Sequence, residues 1–373
     1  MKDHSFSRRE FLNLSLGAAA GGLLVACQPQ VVERTVEVEV PVKETVEVEV
    51  EVEREVLVTA PAGETVTLRF AEGSWVGPEG IAFWTDEIIP RFELEHPNIK
   101  VMFENAEAPD YQDKLYTQAV AGDMPDVFFI WWSGGLMEKG QLLALDDYFD
   151  EEYLSDFYPG NVVAQVYEGH LYGVPKYVSS VVMAYNKDIL DAAGVDYPDG
   201  TWTWDDYEAA YRATADPSTS QWGTSVAYEY LFHYVWMNSG EWMNADLFGT
   251  ECLLNEEKAF EALKFNHDLM WGSDPVSPKP GETGEFGWWN VFSTGKVAFM
   301  ESHSWTVTNY IRENAFQWDF TDLPMARDGG KAGLTFCNGY SIAYSTKHVP
   351  ESVTLLEFMA SPWVNKQTCN GII

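Results

Sequence analysis

The residues of this chain best equipped for chemistry are its aromatic ones. Fifteen tryptophans stand among 373 residues, and aromatic side chains make up 14% of the chain. An indole offers a flat apolar face that suits the C–H faces of a sugar ring, while polar neighbours direct hydrogen bonds to its hydroxyls. Trp75, Trp131, Trp132, Trp236, Trp242, Trp288, Trp289 and Trp305 all fall in predicted loops or strand ends, where such a face would be reachable. For each, packing in a core is the competing expectation. Polar candidates at the same predicted edges are Glu72, Ser74, Asn238, Glu241 and Asn338, against which stands an ordinary solvated loop role.

Covalent and metal chemistry has no comparable support. Neither G-x-S-x-G nor H-E-x-x-H occurs, and the phosphate-cradling G-x-x-x-x-G-K-[ST] and G-x-G-x-x-G are missing too. The seven histidines lack metal-ligand spacing and the four cysteines (Cys27, Cys252, Cys337, Cys369) form no C-x-x-C pair, so no cofactor and no metal is expected. A Cys252–Cys337 disulfide is compatible with the sequence. A secreted glycoside hydrolase would need two carboxylates flanking the scissile bond. The 58 acidic residues leave room for such a pair without marking one, and no enzyme is expected. With only 23 basic residues the net charge is −35, which speaks against nucleic acid and against a polybasic membrane patch.

The elements that must position these residues begin after a long preamble. Ser7-Arg8-Arg9-Glu10-Phe11-Leu12 looks like a twin-arginine export signal. The apolar stretch Leu14–Ala26 then ends in Leu24-Val25-Ala26-Cys27, which resembles a lipobox with Cys27 as the lipidated residue. Residues 1–27 are therefore expected to be a lipoprotein signal rather than a membrane-spanning helix, for which they are short. Residues 28–60 repeat a Val/Glu alternation whose like charges would line one face of a strand, so a solvated tether is expected. Fully extended it would reach on the order of 100 Å.

The folded part opens with a β-α-β-α-β order. Strands are predicted at Thr65–Ala71, Ile99–Glu104 and Val127–Trp131, and helices at Glu79–Glu95, disturbed near Pro90, and Tyr111–Ala121. Such an order implies a parallel sheet with ligands beyond the carboxyl ends of its strands, at Glu72–Trp75 and Trp131–Ser133. Further on, Val178–Tyr185 reads as a strand, Ile189–Ala193 as a short helix, and 206–215 and 256–271 as helices, the first capped by Thr203 or Asp205.

The run His170–Tyr197, with its Tyr172-Gly173-Val174-Pro175 and Tyr185-Asn186-Lys187-Asp188-Ile189-Leu190, resembles the family 1 extracellular solute-binding proteins, the sugar-binding components of ABC importers. Gly122-Asp123-Met124-Pro125-Asp126-Val127, Gly140-Gln141-Leu142-Leu143-Ala144-Leu145-Asp146-Asp147, Thr201-Trp202-Thr203-Trp204-Asp205 and Phe292–Met300 followed by Trp305 keep that family's order across roughly residues 65–365. The resemblance implies an α/β fold of the two-lobe periplasmic-binding-protein type (type II), each lobe a mostly parallel sheet flanked by helices, with the ligand cleft between them. Residues 61–175 and 338–373 would form the N-terminal lobe and 176–337 the C-terminal lobe. It implies one stacking ring per lobe, Trp131 and Trp305, with Tyr177 on the cleft floor and Asn338 and Tyr340 at the second crossing. The implied partners are a carbohydrate or other small neutral solute and ABC permease subunits, with the membrane reached only through the lipid anchor on the outer face of the cytoplasmic membrane. A sensory or adhesion lipoprotein reusing the fold stays open at this point. Ser361-Pro362 is expected to end the Val353–Ala360 helix; relatives continue beyond it with further helices, so a shortened C-terminal return is expected.

Overall fold

The computed structural model describes residues 64–74, 77–107, 110–131, 133–226, 231–244, 249–283 and 290–371. The expected signal, lipobox and tether lie outside them, as do Trp75, Trp132, Trp288 and Trp289. The described residues up to Val174 together with Gly339–Val364 form one compact unit, and Pro175–Asn338 with the residues from Asn365 on form a second.

In the first unit β1 (Val66–Ser74) pairs in parallel with β2 (Ile99–Glu107) and with β3 (Val127–Ile130), as the β-α-β-α-β order predicts. The helical segment between β1 and β2 comes in three pieces: Gly77–Ala82, a wide π-type turn Phe83–Ile88, and α1 (Ile89–Glu95). Pro90 has no N–H to donate, and the ladder resets one residue wider just before it, with Ile89 N–H bonding the Trp84 carbonyl. After α2 (Asp110–Ala121), the Met124-Pro125-Asp126 turn does structural work. Asp126 accepts the Arg69 N–H (2.8 Å) and the Thr346 hydroxyl (2.6 Å), joining three segments through one carboxylate. A small hairpin of β4 (Val166–Tyr167) and β5 (His170–Leu171) precedes β6 (Val174–Asn186), which carries the chain into the second unit.

There the Asn186 side chain caps α3 (Lys187–Ala193) by accepting the Ile189 N–H at 3.2 Å. Thr203 caps α4 (Trp204–Thr214), and Asp206 accepts from both the Thr203 N–H (2.8 Å) and hydroxyl (2.7 Å). Next come β7 (Trp222–Ser225), α5 (Leu231–Met237), α6 (Glu257–Trp271), β8 (Val297–His303), α7 (Val307–Glu313) and β9 (Trp318–Thr321). β6 is flanked by β8 and β9, both antiparallel to it, while β7 runs parallel to β8. The core beneath is aromatic: Trp204 is fully buried and stacks on Phe265 at 4.9 Å and 14°, beside Tyr207, Tyr211 and Phe299.

β10 (Thr335–Ile342) returns the chain to the first unit, where it pairs antiparallel with β3. α8 (Val349–Met359) follows. It ends just before Ser361-Pro362, as expected, and Pro362 then opens a further ten-residue helix, α9 (Pro362–Gly371), where the Ser361 hydroxyl accepts the Val364 N–H at 3.3 Å. Proline has no N–H to lose in a first turn, so what reads as a terminator initiates. Cys252, Cys337 and Cys369 are free thiols, so the Cys252–Cys337 disulfide is not formed.

Close packing in the second unit gives a direct test. A Cβ built on Gly223 would lie 2.1 Å from the Tyr211 carbonyl oxygen, backbone against backbone. Gly223→Ala should therefore cost about 3 kcal/mol, seen as a lowered urea midpoint for the transition that reports this unit.

Candidate functional site

In the first unit the carboxyl ends of β1 and β3 gather Glu72, Gly73, Tyr111 and Trp131. Tyr111 is completely buried, and its hydroxyl lies 2.9 Å from the Ala71 carbonyl and 2.8 Å from that of Phe129, bridging the two strand ends. Burial and the neighbouring Glu72 carboxylate push its pKa well above the usual phenol range. Half-buried Trp131 stands edge-on to Tyr111 (5.2 Å, 83°) and Phe129 (5.2 Å, 77°). A Cβ at Gly73 would come within 3.1 Å of Trp131 and 3.3 Å of Tyr111, so a side chain there would push both rings by a few tenths of an ångström. Glu72 itself is 3% exposed. Ser74 is the last residue of β1.

The second unit builds a larger cluster at the end of β8. The strand's period of two turns Glu301 and His303 to one side, toward α5. There His233 Nε2 lies 3.2 Å from Glu301 Oε2, and the Tyr234 hydroxyl donates to Glu301 Oε1. His233, Tyr234, Glu301 and His303 are all at least 90% buried. Burial, with the Glu301 charge beside it, drives the Tyr234 pKa far up. Burial, aided by His233, pushes the His303 imidazole down to about 3, so it is neutral at physiological pH.

Trp305 lies on top of that imidazole. The two rings are nearly parallel, 8° apart with centroids at 3.6 Å, and Phe336 meets both edge-on, at 4.8 Å from His303 and 5.7 Å from Trp305. Trp305 is nevertheless 41% exposed. The hydroxyls of Ser304 and Ser179 sit 2.9 Å apart, tying this turn to β6. On the neighbouring stretch of β6 and β10, Asn338 Nδ2 donates to the Tyr177 hydroxyl at 2.9 Å, and Lys176 Nζ lies over the Tyr177 ring at 5.6 Å.

The structure thus places Trp131 and Glu72 on either side of Tyr111 in one unit, and joins Tyr177 to Asn338 in the other, where Trp305 has its own cluster. Two sequence expectations need correction. Tyr340 is fully buried, its ring 5.9 Å from Phe70 and 6.4 Å from Phe129, and is a core residue of the first unit. Asn238 is 4% exposed and its amide is spent on the Lys258 carbonyl (2.8 Å) and Glu261 (3.0 Å), which fastens α5 to α6. Trp236 lies 37% exposed on α5 beside Phe232, which stacks on Trp242 at 3.9 Å, and Glu241 is exposed. The sequence reading passed over Tyr111, His233, Glu301 and His303. Alternation along Glu301-Ser302-His303-Ser304-Trp305 was the available signal for the last two. Among the described residues no group of three or more potential ligands could hold a metal ion.

The match to known proteins agrees with this architecture. The family model for bacterial extracellular solute-binding proteins matches residues 77–365. The chain belongs to that family. The binding protein is 25% identical over 328 residues to a protein of Brucella abortus (strain 2308) named only as a binding protein, across 84% of this chain and 77% of that one. A maltotriose-binding protein of Pyrococcus abyssi is 24% identical over 239 residues, 63% of this chain and 49% of that one. An ABC substrate-binding protein of Listeria monocytogenes, solved in complex with cycloalternan, superposes with a TM-score of 0.74 at 28% identity, covering 83% of this chain and 79% of that chain. The fold is accordingly that of the type II periplasmic sugar-binding proteins, and the protein is an exported solute-binding protein of the ABC transporter class.

The neutral His303 predicts a pH effect on stability. Its folded pKa lies below the unfolded value near 6.5, so the unfolded chain takes up a proton first as pH falls. Stability should be full above about pH 6.5 and decline toward pH 3, at a slope of roughly 1.4 kcal/mol per pH unit from this group. His303→Phe should remove one proton's worth of that slope, read from urea melts between pH 6 and pH 4.

Proposed function

We propose that this exported binding protein captures a carbohydrate or a related small neutral solute and delivers it to the permease subunits of an ABC importer. The observation that carries the reading is Trp305, a 41% exposed indole held flat on a buried ring, with the Tyr177 hydroxyl, positioned by buried Asn338, on the adjoining strands to meet hydroxyls. The named ligands of its relatives, maltotriose and cycloalternan, are oligosaccharides, which supports the same class. Trp131 with Glu72 is proposed as the corresponding surface of the first unit, and closure of the two lobes over the ligand belongs to the same proposal. The protein acts by binding alone, without turnover. Titration with maltotriose, followed by tryptophan fluorescence or calorimetry, tests the class. Trp305→Ala should weaken binding by about 1–3 kcal/mol through lost stacking and area. Equal affinity in that variant would refute the assignment, and steady hydrolysis of a chromogenic glycoside would refute the non-catalytic role.

The anchoring is proposed on the sequence alone. Lipidation at Cys27 would hold the protein at the outer face of the cytoplasmic membrane, with residues 28–60 as tether. One acyl chain binds a membrane only marginally, so stable attachment needs more than one. No helix among the described residues is long and apolar enough to cross a membrane. Cys27→Ala should shift the protein from the membrane to the soluble fraction on fractionation. A variant that still pelleted with membranes would show that attachment does not depend on this cysteine.

A further inference from the structure

We propose that His303 is the positioning residue of the Trp305 surface, fixing the plane of the indole from its buried side and thereby setting affinity for a stacked sugar. The inference rests on the reading of Trp305 as a stacking ring, and it goes further by locating what orients that ring. Trp305 sits in a three-residue turn, Ser304–Thr306, and is 41% exposed. A tryptophan so placed would ordinarily sample several rotamers, and immobilising it would weaken binding. Here the rotamer is already chosen. The imidazole lies parallel to the indole at 3.6 Å, while Phe336 closes the edge of both rings.

The support is itself rigid. His303 is 1% exposed and opposite Val181 in the β6–β8 ladder. Phe336 packs with Val181, Leu323 and Leu334. Behind His303 stand His233, Tyr234 and Glu301, joined to one another across α5 and β8. The contact between His303 and Trp305 is therefore a flat face pressed on a flat face. What matters at position 303 is a planar ring of modest size, and the ring acts on the ligand through the indole.

The test uses the full chain labelled with 5-fluorotryptophan, the Trp305 fluorine signal being assigned by Trp305→Phe, and maltotriose as the probe. His303→Leu, which keeps bulk but has no flat face, should shift and broaden the Trp305 signal and weaken maltotriose binding about five- to tenfold. His303→Phe, which restores a ring, should keep the signal sharp and the affinity within about twofold. In a Trp305→Leu background, His303→Leu should cause no further loss. Should His303→Leu fail to fold, His303→Gln replaces it with the same expected outcomes. An unchanged Trp305 signal in the ring-less variants overturns the proposal, and so does an equal affinity loss when Trp305 is already absent. If maltotriose binds the Trp305→Leu protein as well as the parent, the stacking role of Trp305 fails instead, and the fluorine signal alone decides whether His303 holds the indole.

Discussion

The Glu301 carboxylate is 8% exposed, and the second unit has to satisfy it. An unpaired carboxylate so placed would cost several kcal/mol. Both of its oxygens face α5: the Tyr234 hydroxyl donates to one, and His233 Nε2 stands 3.2 Å from the other. Meeting it therefore fixes α5 against β8. Tyr234 in turn packs on Trp204 and Phe265, so the same contact is anchored through α4 and α6. Two residues along the strand the constraint is passed to His303, and from its ring to Trp305. A polar requirement in the interior ends as the orientation of an aromatic face at the surface.

The first unit solves a similar problem with different groups. Tyr111 spans the ends of β1 and β3 through its hydroxyl, and its ring then supports Trp131 edge-on. Asp126, at the other end of β3, binds β1 and the segment after β10 through its two oxygens. In both units a buried polar group locks the strand ends, and a ring attached to that lock orients a tryptophan. The geometry differs: Trp131 is perpendicular to its support at 83°, whereas Trp305 is parallel to its own at 8°. Edge contact holds a ring by its rim, while face contact fixes its plane.

Much of this was legible in the sequence where the governing interactions are local. The parallel β1–β2–β3 order and a cap at Thr203, one of the two candidates, follow from alternation, helical period and residue type over a few positions. The order of short motifs also carried the family. What was not legible depends on partners far along the chain. Asn238 reads as a loop amide until Lys258 and Glu261 are brought to it. Tyr340 reads as a rim residue because a strand covered on both faces gives no sign of which aromatic is core. His303 is a motif residue whose meaning comes from Phe336, thirty-three positions later, and from α5. Pro362 could stop a helix or start one, and only the capping Ser361 hydroxyl distinguishes the two.

Charge narrows the ligand class from another side. The whole chain carries −35, and the floor behind Trp305 holds a buried carboxylate together with an imidazole kept uncharged by burial. An anionic solute brought to the indole would find no positive imidazole beneath it, although a cation, Lys176 Nζ, lies over the nearby Tyr177 ring at 5.6 Å. A neutral ring gains from the same arrangement. Its C–H groups carry slight positive charge, and they stack best on an indole whose density is not drawn away by an imidazolium beneath it. The Tyr177 hydroxyl, held at 2.9 Å by buried Asn338, adds a neutral hydrogen-bonding group beside the Lys176 cation. In the proposed site, burial of His303 would therefore do two things at once: fix the plane of the indole, and keep the surface suited to an uncharged, hydroxyl-rich solute.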